Sequence, residues 1–322
     1  MRRKVAVIGA GNVGATCAQR ILERAKADVA LVDIAEGLAQ GKALDLAQAS
    51  PLEHHDCRVV GSTDYRVIEG SDLVVVTAGL PRKPGMSRSD LLEANAKIIQ
   101  SIIPQIVTHA PQAILIMVTN PLDAMTYLAW RISRFPKERV VGMAGVLDSA
   151  RLRFFVADRL KVSVKDVQAL VLGGHGDSMV AVSRYTTVSG IPIAQLLPPA
   201  EVQALIERTR DGGAEVVKLL KTGSAFYAPA SSVAEMVGSI LLDEQRILPA
   251  CAYLSGQYHL RDLFCGVPVR LGSRGVEQIV EVSLDPQEQQ ALAASAAAVR
   301  QEMEAVDAFL GAAPQGARPL ST

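Results

Sequence analysis

Gly173-Gly174-His175-Gly176-Asp177 places a single imidazole among glycines, directly after the apolar stretch Val167–Leu172. Little backbone bulk stands in its way there, and an imidazole titrating near neutrality can take or give a proton. A lone histidine is also an ordinary structural residue, so the chemical reading needs a partner. Val146-Leu147-Asp148-Ser149-Ala150-Arg151 offers one, because i, i+3 spacing puts Asp148 and Arg151 on one helix face. Either these two form a local ion pair worth about 0.2–0.5 kcal/mol, or Asp148 orients the imidazole while Arg151 grips a carboxylate. Upstream, Arg82 and Arg88 bracket Lys83-Pro84-Gly85-Met86-Ser87. A guanidinium is a permanent cation whose donor fork fits a carboxylate through two parallel bonds, so two in one loop suggest an acidic small molecule. A solvated basic loop is the alternative.

A second group of residues points to a dinucleotide. Gly9-Ala10-Gly11-Asn12-Val13-Gly14 lies between the strand-like Val5–Ile8 and a helical stretch, the setting in which G-x-G-x-x-G is informative. The first glycine permits the tight turn, the second lets a pyrophosphate approach the backbone, and the third lets the helix pack close with its N-terminal amides facing the anion. Val29–Val32 ends in Asp33, nineteen residues beyond Gly14. A carboxylate there accepts ribose hydroxyls and repels a 2′-phosphate, which favours NAD over NADP. Val118-Thr119-Asn120-Pro121 closes another apolar run, so Asn120 points toward the same crevice, either as a ligand contact or as a helix cap. Asn95 has a weaker case from sequence alone.

These residues need a frame. Val5–Ile8, Val29–Val32, Val59–Val60, Leu73–Val76, Ile114–Val118 and Val140-Val141 are continuous aliphatic runs alternating with helical patterns. Strands covered on both faces by crossover helices read this way, so residues 1–145 are expected to form a doubly wound parallel α/β sheet. Ile98–Val107 has helical spacing, and Pro104 is expected to kink or split that helix. From Val146 the pattern changes to a helix at Leu147–Leu160, strands around Val167–Leu172 and Met179–Tyr185, and helices at Pro199–Leu220 and Ser231–Leu242. That describes a second, mixed α+β domain over residues 146–311. Gln287–Leu310 reads as a closing surface helix, and residues 312–322, lacking periodicity, as a flexible tail.

Composition narrows the classes. The 322 residues are 49% hydrophobic, 20% charged and 4% aromatic, which is an aliphatic globular composition. Thirty-three basic and thirty-three acidic side chains cancel, so no global field attracts nucleic acid or an anionic membrane surface. No apolar run is long enough to span a bilayer. Cys17, Cys57, Cys251 and Cys265 are dispersed without ligand-like spacing, which fits reduced thiols in a cytoplasmic protein and no metal site.

From Met1 to about Leu310 the chain resembles the lactate/malate dehydrogenase superfamily, and within it the lactate-dehydrogenase-like bacterial malate dehydrogenases. The matching pieces are Gly9–Gly14, Asp33, Thr77–Arg88, Val118–Pro121, Leu147–Arg151 and Gly174-His175-Gly176-Asp177. The resemblance implies a Rossmann-type NAD-binding domain followed by a substrate domain, and oxidation of malate to oxaloacetate with NAD. By the same resemblance His175 is the proton donor and acceptor and Asp148 orients it. Arg151 and Arg82 clamp the two carboxylates, Arg88 polarises the carbonyl, and Asn120 and Asn95 contact ligands. Gly9 to Gly14, Asp33, Asn95 and Val118 to Asn120 would hold the cofactor. Similar lactate dehydrogenases carry Gln at the position of Arg82, so a substrate with a second carboxylate is expected here. The rivals are a 2-hydroxyacid dehydrogenase preferring lactate and a non-catalytic NAD-binding sensor. Ser224 either lines the substrate pocket, as the resemblance implies, or caps a helix. A homodimer or homotetramer is implied as well.

Overall fold

A computed structural model describes residues 2–81 and 86–312. Arg82, and with it the expected distal carboxylate clamp, lies outside the described residues, as do residues 313–322 of the expected tail. The first half alternates β1 (Lys4–Ile8), α1 (Asn12–Arg20), β2 (Asp28–Val32), α2 (Leu38–Ala49), β3 (Val59–Ser62), β4 (Leu73–Val76), α3 (Arg88–His109), β5 (Ile114–Met117), α4 (Leu122–Ser133) and β6 (Val140–Gly142). Every residue of β4 and β5 is buried, which is why these strands carry no polar alternation.

The strands β6-β5-β4-β1-β2-β3 are parallel neighbours in that order. Strand β1 pairs with β2 on one side and β4 on the other, with Ile8 opposite both Val32 and Val76. The chain leaves β1 in one direction and returns in the other, which opens a crevice beyond the carboxyl ends of β1 and β4. Gly9 and Thr77 follow those strand ends directly, and Asp33 follows the end of β2 beside them.

Pro104 neither ends nor divides α3, which runs unbroken from Arg88 to His109. The missing Pro104 N–H leaves the Gln100 carbonyl without its helical donor, yet the helix continues on both sides. A capping box starts the helix: the Asp90 N–H donates to Ser87 Oγ and the Ser87 N–H donates to an Asp90 carboxylate oxygen, each at 3.0 Å. That box fixes the direction in which Arg88, the first helical residue, leaves the preceding loop.

The second half begins with α5 (Gly145–Leu160). The two strands expected over Val167–Leu172 and Met179–Tyr185 are broken into shorter pieces: β7 (Val167–Gln168), β8 (Val171–Leu172), β9 (Val180–Ala181) and a 3-10 turn at Ser183–Tyr185. The cause is a change of partner, since β8 pairs with β9 whereas β7 pairs with β10 (Thr187–Val188), which also pairs with β11 (Ile191–Pro192). Then follow α6 (Ile193–Leu196), α7 (Pro199–Leu220), α8 (Tyr227–Leu241), β12 (Arg246–Ser255), β13 (Arg261–Gly272), β14 (Gly275–Ile279) and α9 (Pro286–Ala312). Helix α8 starts four residues before the expected Ser231.

Strands β12 to β14 form no separate sheet. They extend the parallel sheet in antiparallel fashion, β12 joining β6 through Cys251 opposite Gly142, so that among the described residues the central sheet has nine strands. Helix α9 is exposed on one face and buries Leu292, Ala296, Val299, Met303 and Val306 on the other, at alternating spacings of four and three. A smaller apolar cluster, including Leu152, Val156, Val167 and Met179, lies under α5.

Candidate active site

The glycine turn is shaped by contact. Gly9 has φ +101°, and a Cβ on it would lie 2.8 Å from the Ala78 nitrogen. A Cβ on Gly14 would collide with the Gly9 carbonyl oxygen, and Thr77 Oγ1 would stand 2.8 Å from it. At Gly11, which begins α1 without a side-chain cap, a Cβ would meet nothing within 4 Å. The turn is therefore closed toward the sheet and open toward the crevice, with unmasked amides at a helix start. That is the shape and polarity a pyrophosphate requires. Gly14→Ala is expected to cost about 1–3 kcal/mol of stability through overpacking against backbone and to weaken NADH binding; thermal melts with and without NADH check both, and a wild-type melt would refute it.

Asp33 is half-buried, accepting from the Ala10 N–H at 2.6 Å and the Ala35 N–H at 2.9 Å, one on each oxygen. Each oxygen keeps a second lone pair for a hydroxyl. Lys42, which sequence reasoning missed, donates from Nζ to the Ala10 carbonyl at 2.7 Å.

A cavity of about 270 Å³ is lined by Gly11 to Gly14, Thr77, Val118, Thr119, Asn120 and Ser224, among others. Ser224 is thus a lining residue and not the cap of α8, whose N-cap is Phe226. Asn95 sits beneath this surface, fully buried. Its Oδ1 accepts from Leu80 N–H at 2.7 Å, and its Nδ2 donates to the Leu80 and Asn120 carbonyls at 3.1 and 2.6 Å. In this conformation the amide ties two strand ends together and presents no donor to a ligand. Asn120 itself is exposed and is joined to Pro121 by a cis peptide bond.

The structure brings His175, Asp148 and Arg151 together. His175 Nδ1 is 2.8 Å from Asp148 Oδ2, and Arg151 Nη1 donates to Asp148 Oδ1 at 3.2 Å. Asp148 is almost wholly buried. Burial alone would lower the His175 pKa, but the Asp148 charge and hydrogen bond outweigh it and hold the imidazole above its usual value. With Nδ1–H committed to the carboxylate, Nε2 is the nitrogen left to exchange a proton. Arg151 lies against α7, where a Cβ on Gly212 would stand 3.2 Å from its Cδ and one on Gly213 3.5 Å from Nη2. Those two glycines leave room for the guanidinium.

The loop carrying His175 is fastened from three elements. Gly173 and Gly266 of β13 exchange backbone hydrogen bonds at 2.8 and 3.1 Å. The Gly174 N–H donates to Ser295 Oγ of α9, and the His175 N–H to Asp123 Oδ2 of α4, both at 2.8 Å. Asp123 is buried, and burial pushes its carboxyl up. Asp123 and Ser295 carried no sequence signal that would single them out.

Arg88 reaches the same region from α3 and is ion-paired to Asp177. Asn120, Asp123, His175, Arg88 and Glu302 line a cavity of about 190 Å³ beside the first one.

Residues 3–142 match the family model of the lactate/malate dehydrogenase NAD-binding domain, and residues 145–310 match that of the family's α/β C-terminal domain. A malate dehydrogenase of Thermomicrobium roseum is 58% identical over 306 residues, covering 95% of this chain and 99% of its own. Among solved structures, a malate dehydrogenase of Salinibacter ruber superposes with a TM-score of 0.92 at 49% identity, over 96% of this chain and 99% of that one. A lactate dehydrogenase of Cryptosporidium parvum, complexed with lactic acid and nicotinamide adenine dinucleotide, superposes with a TM-score of 0.92 at 39% identity, over 95% and 98%. Substrate identity is therefore not written in the backbone shape, which both kinds of enzyme share. Two consecutive family models that together span the described fold, and a glycine turn and imidazole–carboxylate pair at the places those domains provide, leave one conclusion: the chain belongs to the lactate/malate dehydrogenase family.

Proposed function

We propose that this chain interconverts (S)-malate and oxaloacetate with NAD. The observation that carries the chemistry is the buried Asp148 carboxylate, which orients His175 on one oxygen and Arg151 on the other. The cofactor, when bound, supplies the hydride acceptor or donor at its nicotinamide ring. The chain's residues do the rest. In the oxidative direction His175 Nε2 takes the hydroxyl proton, and Asp148 stabilises the imidazolium that forms. In the reverse direction the imidazolium returns that proton to the carbonyl oxygen, and its raised pKa keeps the proton available near neutrality. Arg151 holds the carboxylate beside the reacting carbon and so sets the approach geometry. Arg88 stabilises the negative charge that grows on the oxygen, and Arg82 receives the far carboxylate. Asn120 lines both cavities and is read as touching cofactor and substrate. Gly9 to Gly14 receive the pyrophosphate and Asp33 the ribose, beside Val118 and Thr119. Asn95 supports them from below.

The malate reading is supported by Arg82 and by curated relatives named malate dehydrogenase at 53–58% identity. A cofactor domain at residues 1–145 and a substrate domain at 146–311 follow from the same reading, as does work in the tricarboxylic acid cycle of the cytoplasm. A homodimer or homotetramer belongs to the same reading. Among the described residues no helix is long and apolar enough to cross a membrane. Initial rates of NADH consumption with oxaloacetate and with pyruvate test the proposal. Oxaloacetate is expected to be strongly preferred; a preference for pyruvate would move the assignment to lactate, and no turnover with any oxo acid would end it.

A further inference from the structure

Two carboxylates near the reacting end have no role in the mechanism above. Asp177 follows His175 by two residues and pairs with the Arg88 guanidinium, both side chains being open to water at 71% and 65% exposure. Beside this pair, Glu302 of α9 lines the 190 Å³ cavity and is half-buried. Burial pushes its carboxyl up to about 7, the nearby Asp123 acts in the same direction, and Arg88 opposes both. Five charged or titratable side chains line this cavity: Arg88 from α3, Asp123 from α4, His175 and Asp177 from the loop after β8, and Glu302 from α9. Two of the carboxylates around it are already committed. Asp123 receives the His175 N–H, and Asp148, behind the imidazole, is shared by His175 and Arg151. That leaves Asp177, ion-paired to Arg88, and Glu302, which lines the same cavity and whose carboxyl feels the Arg88 charge.

We propose that Asp177 and Glu302 form an acidic resting seat that holds Arg88 until the substrate takes it over, which makes both of them positioning residues for substrate binding. This rests on the reading of Arg88 as a substrate contact. A guanidinium engaged by one carboxylate must release it before donating those hydrogens to a carbonyl oxygen, so the seat and the substrate compete. The fraction of molecules with Arg88 free multiplies the intrinsic affinity. The competition ends before hydride transfer, so KM changes while kcat does not. The seat is solvated, and exposed ion pairs are weak, so the effect is a few-fold. Its sign with pH follows from Glu302: the seat is complete above the Glu302 pKa and loosened when that carboxyl is protonated.

Steady-state oxaloacetate reduction by the full chain from pH 6 to pH 8 tests the seat. Asp177→Asn is expected to lower KM about two- to fivefold with kcat within about twofold. For Glu302→Gln, the ratio of wild-type to variant KM is expected near one at pH 6 and about 2–3 at pH 8. The titration of His175 occurs in both proteins and cancels in that ratio. Unchanged or raised KM in both variants would overturn the seat. In an Arg88→Ala background, Asp177→Asn is expected to have no further effect on KM. A persisting decrease there would mean a general field at the cleft mouth and would also overturn the seat. If Arg88→Ala alone keeps wild-type kcat and KM, the failure lies in the reading of Arg88 itself and removes the seat with it.

Discussion

His175→Asn is expected to bind NADH within about twofold of the wild type while kcat falls about 10²–10⁴-fold in both directions. The imidazole stands outside the glycine turn that receives the dinucleotide, so cofactor affinity does not depend on it. Asparagine can still donate a hydrogen bond to Asp148, which spares the buried carboxylate an unpaired state. It has no nitrogen that titrates near neutrality, however, and the proton between substrate oxygen and solvent loses its carrier. Fluorescence titration of NADH and the absorbance assay separate the two effects. Near-normal kcat would remove His175 from proton transfer, and loss of NADH binding would show that the loop after β8 had collapsed.

Arg82→Gln is expected to shift the ratio of kcat/KM for oxaloacetate over pyruvate toward pyruvate by about thirtyfold to several thousandfold. That range corresponds to the roughly 2–5 kcal/mol lost when one partner of a desolvated charge pair is removed. Glutamine is similar in length but neutral, so the far carboxylate would enter the closed site without a counter-charge. Arg151 stays in place and continues to hold the carboxylate next to the reacting carbon, which both oxo acids possess. Pyruvate therefore gains in relative terms without any new contact. An unchanged ratio, measured under one set of conditions for both proteins, would show that another group reads the far carboxylate.

The features legible in the sequence are those that local chemistry demands. Gly9 and Gly14 are readable because a turn with φ +101° at Gly9 and a helix packed against the Gly9 carbonyl exclude side chains, whereas Gly11 is open and is readable only through the spacing of the motif. Asp148 and Arg151 were readable as a pair because helical spacing alone brings them together. The His175 partnership crosses 27 residues, and the sequence offers it only as one of two alternatives, the other being a local Asp148–Arg151 ion pair. Asp123 lies 52 residues from His175, and Ser295 lies 121 residues from Gly174. No local pattern marks either.

Strands β12 and β13 escaped notice for a different reason. Pro249 and Pro268 face each other within them, and proline inside an apolar run normally argues against a strand. The resemblance implies a ligand contact at Asn95, and in the structure its buried amide hydrogen-bonds to the Leu80 and Asn120 backbone, a partnership that no local pattern reveals. Of the two outcomes expected at Pro104, a kink or a split, the split does not occur, because the turns on either side of it keep their own hydrogen bonds and helix α3 runs through.

The junction of β6 with β12 has a mechanical consequence. Cys251 pairs with Gly142, and a Cβ on Gly142 would lie 2.9 Å from the Cys251 Cβ, so the seam between the parallel strands and the antiparallel ones is closely packed within one sheet. A hinge there would have to break the β6–β12 pairing, so the sheet runs across the junction as one plate. Ligands must then be admitted and enclosed by loops and single side chains moving at the plate's edge. Splitting the gene at residue 145 would free two raw strand edges rather than release two working modules.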